Sequence, residues 1–335
     1  MLGTQKRMVE MPENTQKCCS PAGKDHRADT GDAGYLDRAR SVRVATPKKQ
    51  AELKGKLSII SGGFFDMGAR QSRFPADMDS PRRKIRISPF RISPFAVSNQ
   101  EFADFVADTG YVTVAEQEGW SYVFHLFADT SGGHDGYPAQ TPWWRAVSGA
   151  CWHAPEGPNS SWTEHADHPV VQIAWFDAIA YCVWSGLRLP WEGEWEFAAR
   201  GGLAKKKFPW GNVMMPAGEH AMNTWQGRFP AENTGEDGWV KTAPVDSYQP
   251  NGFGLYNMTG NVWEWVQDYF GERASSGRLA DHDPRGPNDG YARVQRGGSY
   301  LCHDSYCDRY HVHSRTRNDP DSSTGNCGFR VAADF

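Results

Sequence analysis

Two cysteines stand five positions apart near the end of the chain, in RGGSYLCHDSYCDRYHVHSR (296–315), with His303, His311 and His313 close by. Thiolates so near each other can hold a soft metal ion or exchange electrons as a dithiol. On a helix, Cys302 and Cys307 would diverge by about 140° around the axis, and on a strand they would be too far apart. They converge only if His303–Tyr306 makes a turn, and Gly297, Gly298 and Ser299 favour such irregular backbone. With His311 and His313 the pair supplies four donors on paper, the number a structural zinc site wants. Those two histidines alternate, however, which sets them on one strand face and pulls them away from a compact chelate. Two thiolates without further committed ligands suit a low-coordinate soft ion such as Cu(I). A soft-metal site, a redox-active dithiol and an unremarkable thiol pair therefore all remain open on spacing alone.

The elements that must position this stretch are short. Among 335 residues there are 14 Trp, 35 Gly and 21 Pro, so aromatic packing and frequent breaks are expected in place of long regular elements. Residues 1–55 are polar and end in a basic run from Arg38 to Lys56, which predicts a disordered tail; the domain is expected over 56–335. Three helices are legible. VSNQEFADFVADTG (97–110) carries a Ser98/Glu101 capping box and stops at Gly110. AWFDAIAYCVWSG (174–186) has apolar residues at helical spacing, and PWEGEWEFAARGG (190–202) opens on Pro190 and acidic residues, with Trp191 expected to stack on Trp195. Strands are expected at KIRIS (84–88), HPVVQI (168–173) and CGFRVAAD (327–334). A few helices and many short strands in long loops read as an irregular α+β domain.

A formal net charge of −4 gives no electrostatic case for nucleic acid or an anionic membrane. No stretch is apolar enough for a signal peptide or a bilayer span, so a soluble cytoplasmic protein with mostly reduced thiols is expected.

The 296–334 stretch, with GGFFDMG, PWWRAVSGACWHAPEGP, DHPVVQIAWFDAIAYCVWSGLRLPWEGEWEFAARGG, NTWQGRFPAENTGEDGW and NGFGLYNMTGNVWEW upstream, resembles the formylglycine-generating enzymes, or sulfatase-modifying factors, over residues 58–335. GFR and NGxGLYxMxGNVWEW mark the wider superfamily, whereas C-H-x-S-Y-C after RGGSY is particular to the enzymes. The resemblance implies a C-type-lectin-like fold with little regular secondary structure, of bacterial, cytoplasmic, monomeric type. It implies oxidation of the cysteine in a C-x-P-x-R motif of an unfolded sulfatase to Cα-formylglycine, using O2 and a thiol reductant. Cys302 and Cys307 match the thiols that bind Cu(I), in an accessible turn. Ser299, Trp263 and Tyr306 match catalytic-pocket residues, and Asn326 and Arg330 match positions near the peptide groove. Structural Ca2+ is implied at Asn223, Thr224, Asp237 and Trp239, and at Asn257, Gly260, Val262 and Glu264; read alone, NTGEDG (233–238) is a Gly-containing turn.

Departures from that pattern are informative. Cys182 matches half of a disulfide whose partner position here is Val331, and Ala199 and Val312 replace another pair, which fits a reducing compartment. Cys151, Cys182 and Cys327 are then expected as buried packing thiols. Cys18-Cys19-Ser20-Pro21 imitates the client motif but has Gly23 at its Arg position. An inert binding module of the same superfamily is the competing reading.

Overall fold

The computed structural model describes Pro21 and residues 31–134, 136–272 and 280–335. Its helices are α1 (Gly31–Arg40), α2 (Pro47–Gly55), α3 (Asn99–Thr109), α4 (Val114–Glu118), α5 (Trp175–Ser185) and α6 (Glu192–Ala199). The strands are β1 (Ser58–Ile60), β2 (Gly63–Met67), β3 (Arg83–Ile87), β4 (Phe90–Ile92), β5 (Trp120–Phe124), β6 (Trp144–Ser148), β7 (Gly227–Arg228) and β8 (Glu232–Asn233). After them come β9 (Trp263–Tyr269), β10 (Asp281–His282), β11 (Arg293–Arg296), β12 (Arg315–Asn318), β13 (Cys327–Phe329) and β14 (Ala332–Asp334). The fold is thus mixed, with small helices and sheets joined by long loops, as expected.

The central sheet has the order β12-β11-β9-β13, with β13 parallel to β9 and the other pairs antiparallel. Its middle strand β9 is buried along most of its length. Smaller sheets β1-β4-β14, β10-β3-β2, β5-β6 and β7-β8 surround it. The largest apolar cluster joins α3 and α5 through Phe102, Phe105, Tyr181 and Trp184, and extends to Trp263, Cys302 and Cys307. Phe102, Phe105, Tyr181 and Phe329 meet mostly edge to face, the geometry that ring quadrupoles favour.

Local signals account for the helix ends. Ser98 Oγ accepts from Glu101 N while Glu101 accepts from Ser98 N, and Gly110 closes α3 at φ 67°. In α5, Asp177 takes the Ala174 N–H, and Gly186 adopts φ 67°. In α6, Glu194 does the same for Trp191 N and pairs with Arg188. The early acids of α6 have a further role. Glu192 and Glu196 face inward, where Arg315 meets Glu192 at 2.7 Å and Arg296 and Arg200 meet Glu196 at 2.7 and 2.6 Å. Burying those charges is tolerable only because they are paired, and the pairing ties α6 to β11 and β12.

Three expectations need correction. Residues 31–55 are not a tail. Helix α1 packs on α5, Ala39, Ala45 and Leu53 are buried, and Tyr35 meets Phe176 at 5.7 Å between ring centroids. Few apolar residues suffice because arginines cover the rest: Arg38 lies over Tyr35 and Tyr111, and Arg43 pairs with Asp108. The part of the expected tail before residue 31, Pro21 apart, lies outside the described residues. HPVVQI is extended but forms only an isolated bridge at Pro169, since Gln172 turns at φ 61° to reach Pro155 O and Ser121. Trp191 stacks on Arg285, not on Trp195.

Candidate active site

Cys302 and Cys307 converge as the turn reading requires. Cys302 N donates to Ser299 O at 2.9 Å, and Cys307 N donates to His303 O at 2.7 Å. The sulfurs are 3.8 Å apart, well beyond the roughly 2.05 Å of a disulfide. Gly297 and Gly298 lie at φ 98° and 77°, and a Cβ on Gly298 would come within 3.0 Å of Arg309 O and Tyr310 Cα. The Gly-Gly-Ser run therefore lets the chain fold back on itself at this point. The expectation of an accessible turn is corrected, since both cysteines are 0 % exposed and belong to the main core cluster.

Two further shells surround the pair. Asn326 Nδ2 and Leu301 N donate to Ser299 Oγ at 3.0 and 3.3 Å, and Thr324 orients Asn326 through its Oδ1. With both lone pairs taken, the Ser299 hydroxyl is left to act as a donor. Trp263 is fully buried in the same cluster and donates its backbone N–H to Asn326 O. Tyr306 is half-buried and stacks on Phe229 at 5.0 Å, and Trp143 meets both rings edge-on at 4.8 and 5.3 Å. This aromatic trio next to Cys307 was not legible, because 143, 229 and 306 have no sequence relation.

Also unforeseen is the segment 72–79. Arg309 Nη1 donates to Cys307 Sγ at 3.5 Å, while its Nε and Nη2 grip Asp77 at 2.5 and 3.1 Å and its guanidinium lies 3.8 Å over Phe74. Burial pushes the Asp77 carboxyl up to about 6 despite the arginine. Arg73 joins Asp308 at 2.8 Å and Asp79 joins His313 at 2.9 Å. Burial beside His313 lowers His311 to about 4, so it stays neutral near pH 7.

Arg330 is not at a groove. It is 0 % exposed, and it forks onto Glu264 with two 2.7 Å bonds while its other N–H groups reach Ser93 O, Pro94 O and Tyr256 O. It holds β13 to β9 as a buried ion pair. The same pair bears on the second calcium set. The Glu264 carboxylate is engaged by Arg330 and by Trp195 Nε1, so a cation already balances it. Asn257 at φ 49° and Gly260 at φ 76° shape that loop with Val262 buried behind it, and the buried Asn257 Oδ1 receives no hydrogen bond, so of this set it is the Glu264 side chain that is already committed.

The first set fits better. The buried Asn223 Oδ1 receives no hydrogen bond, and Asp237 supplies a carboxylate tied to Thr224 N and Trp239 N at 2.9 and 3.0 Å. Hard oxygen donors around a buried orphan acceptor are what Ca2+ prefers. For a soft ion, the donor set is the cysteine pair alone; no cluster of three or more His, Cys, Asp or Glu able to hold a metal occurs among the described residues. Two close sulfurs suit a low-coordinate soft cation. Cys151, Cys182 and Cys327 are buried and unbridged, as expected. No helix among the described residues is long and apolar enough to cross a membrane.

Comparison with known proteins adds to the geometry. The sulfatase-modifying factor enzyme 1-like domain matches residues 43–335. The chain is 53 % identical over 287 residues to the formylglycine-generating enzyme of Thermomonospora curvata, covering 84 % of this chain and 95 % of that one. It is 41 % identical over 279 residues to the inactive C-alpha-formylglycine-generating enzyme 2 of Bos taurus, covering 82 % and 86 %. In structure it is similar to PvdO from Pseudomonas aeruginosa, with a TM-score of 0.58, 22 % identity and coverage of 83 % and 94 %, which speaks to the fold alone.

Proposed function

The chain belongs to the sulfatase-modifying factor family, and on that premise we propose that it oxidises a client sulfatase's cysteine, within C-x-P-x-R, to Cα-formylglycine. The observation that carries this reading is the buried Cys302–Cys307 pair, with sulfurs 3.8 Å apart and no third protein ligand among the described residues. Cys302 and Cys307 would hold one Cu(I), which when bound supplies a soft centre able to take a client thiolate and activate O2. The electron count is definite. Turning –CH2–SH into –CHO, with sulfur leaving as sulfide, removes two electrons from the client. Since O2 accepts four on going to water, a thiol reductant must give the other two.

The chain's own residues bind and orient the client. The half-exposed rings of Trp143, Phe229 and Tyr306 offer an apolar floor for the motif's proline beside Cys307. Ser299, oriented by Asn326, is a hydroxyl donor next to the thiols. Trp263 lends bulk that keeps water out. Because the pair is buried, only an extended, unfolded segment could bring a cysteine to it, and fixing that cysteine's β-carbon lowers the entropic part of the barrier. Asn223 and Asp237, with Thr224 and Trp239, would hold a structural Ca2+. We assign the reaction to a reducing cytoplasm, in keeping with three buried unbridged thiols.

Incubation of the protein with a C-x-P-x-R peptide, Cu(I), O2 and a thiol, followed by mass spectrometry and hydrazide trapping, should detect the aldehyde. An unmodified cysteine under all loadings would contradict the reading. The alternative, a binding module without turnover, is favoured by the likeness to the inactive Bos taurus relative; peptide capture without conversion would support it.

A further inference from the structure

Segment 72–79 contacts the loop that carries both cysteines and strand β12, which follows that loop. Arg73 bonds Asp304 O and Asp308, Asp77 grips Arg309, Asp79 bonds His313, and Ala76 O accepts from Arg317. One of these contacts reaches the sulfur. Arg309, 2 % exposed, engages three partners at once: two N–H groups lie on the Asp77 carboxylate, one on Cys307 Sγ at 3.5 Å, and its face on Phe74.

We propose that Arg309, held by Asp77 and Phe74, is a positioning residue that orients Cys307 Sγ and offsets the negative charge gathered at the thiol pair. The charge argument is simple. Two thiolates around a monovalent soft ion leave one net negative charge, and a client thiolate adds another, in a place without solvent exposure. A buried charge of that kind requires a fixed partner. Only a guanidinium can fork onto a carboxylate while presenting another N–H and a flat face elsewhere. Lysine, a single ammonium, would have to abandon either Asp77 or the sulfur. Asp77 sits on the far side of Arg309 from the sulfur, which directs the cation without competing for the ion.

This inference rests on the reading of the pair as a soft-ion site, so the experiment separates the two. Cu(I) affinity is measured by competition with a chromogenic chelator for the intact protein, Arg309→Gln, Arg309→Lys, Asp77→Asn and Cys307→Ala, with circular dichroism on each. We expect tight binding by the intact protein and its loss in Cys307→Ala. Affinity should fall about 10–100-fold in Arg309→Gln and Asp77→Asn, the usual range for an outer partner of a metal ligand, with Arg309→Lys recovering only part of it. Weak Cu(I) binding by the intact protein would overturn the soft-ion reading, and this inference with it. Tight binding that is unchanged in a folded Arg309→Gln or Asp77→Asn would overturn this inference alone. Should Arg309→Gln not fold, Arg309→Lys and Asp77→Asn decide the matter by the same criterion.

Discussion

Cys302 and Cys307 lie in the core, yet their removal is expected to be mild for the fold. Replacing a thiol by a hydroxyl or hydrogen changes little volume, so Cys302→Ser and Cys307→Ala should each abolish aldehyde formation while shifting thermal midpoints by only a few degrees. Retained turnover in both variants would rule out the pair as the centre. His168 offers a test of the burial argument. Desolvation and its neighbour His165 lower it to about 4, below its unfolded value near 6.5. The folded state therefore binds fewer protons than the unfolded chain between those values, and the stability His168 contributes is intact above pH 6.5 and lost as pH falls. Between pH 7 and 5 this amounts to on the order of 2 kcal/mol, and His168→Asn should flatten that part of a urea-unfolding profile; an unchanged slope would contradict it. At this scale the sequence was unevenly legible. The cysteines announce themselves by type and spacing, whereas Asp77 is 232 residues from Arg309. A buried guanidinium looks like any surface arginine until the chain is folded. Arg330 shows the converse, a residue matched to a groove by resemblance whose fork is committed to Glu264.

At the level of elements, caps were readable and docking was not. Ser98, Glu101, Gly110 and Gly186 mark helix ends through interactions within a few residues, so their signal survives without tertiary context. Helices α1 and α2 carry almost no amphipathic pattern, and they owe their order to α5, on which Ala39, Tyr35 and Leu53 are seated. Deleting residues 1–56 should thus lower the melting temperature by several degrees, since a buried Leu alone contributes about 2 kcal/mol and Ala45 N also bonds Trp184 O. An unchanged midpoint would mean that these helices add nothing to the domain. HPVVQI failed as a strand for a related reason. Its apolar residues face the core, but the side chain of Gln172 is recruited into a polar knot with Ser121, Ser323 and Pro155 O.

For the whole molecule, regular structure contributes modestly, and loops are secured by aromatic contacts, buried ion pairs and polar knots. Resemblance conveyed that architecture better than periodicity could, because periodicity is weak where strands run two to seven residues. If Ca2+ occupies the Asn223–Asp237 loop, chelation should lower the thermal midpoint and added Ca2+ restore it, by about 2.7 kcal/mol at a hundredfold excess over Kd. Asn223→Ala should abolish the response, and an intact protein indifferent to chelator would remove calcium from the account. Conversion of a client cysteine to the aldehyde is tested by its stoichiometry. With copper-loaded protein, a C-x-P-x-R peptide and excess thiol, O2 uptake is measured with an electrode, sulfide is trapped, and peptide aldehyde is counted by mass spectrometry. Equimolar O2 consumption, sulfide release and aldehyde formation are expected, all of them absent from Cys302→Ser. Oxygen uptake that yields only peptide disulfide, or aldehyde formed equally well by Cys302→Ser, would contradict this expectation.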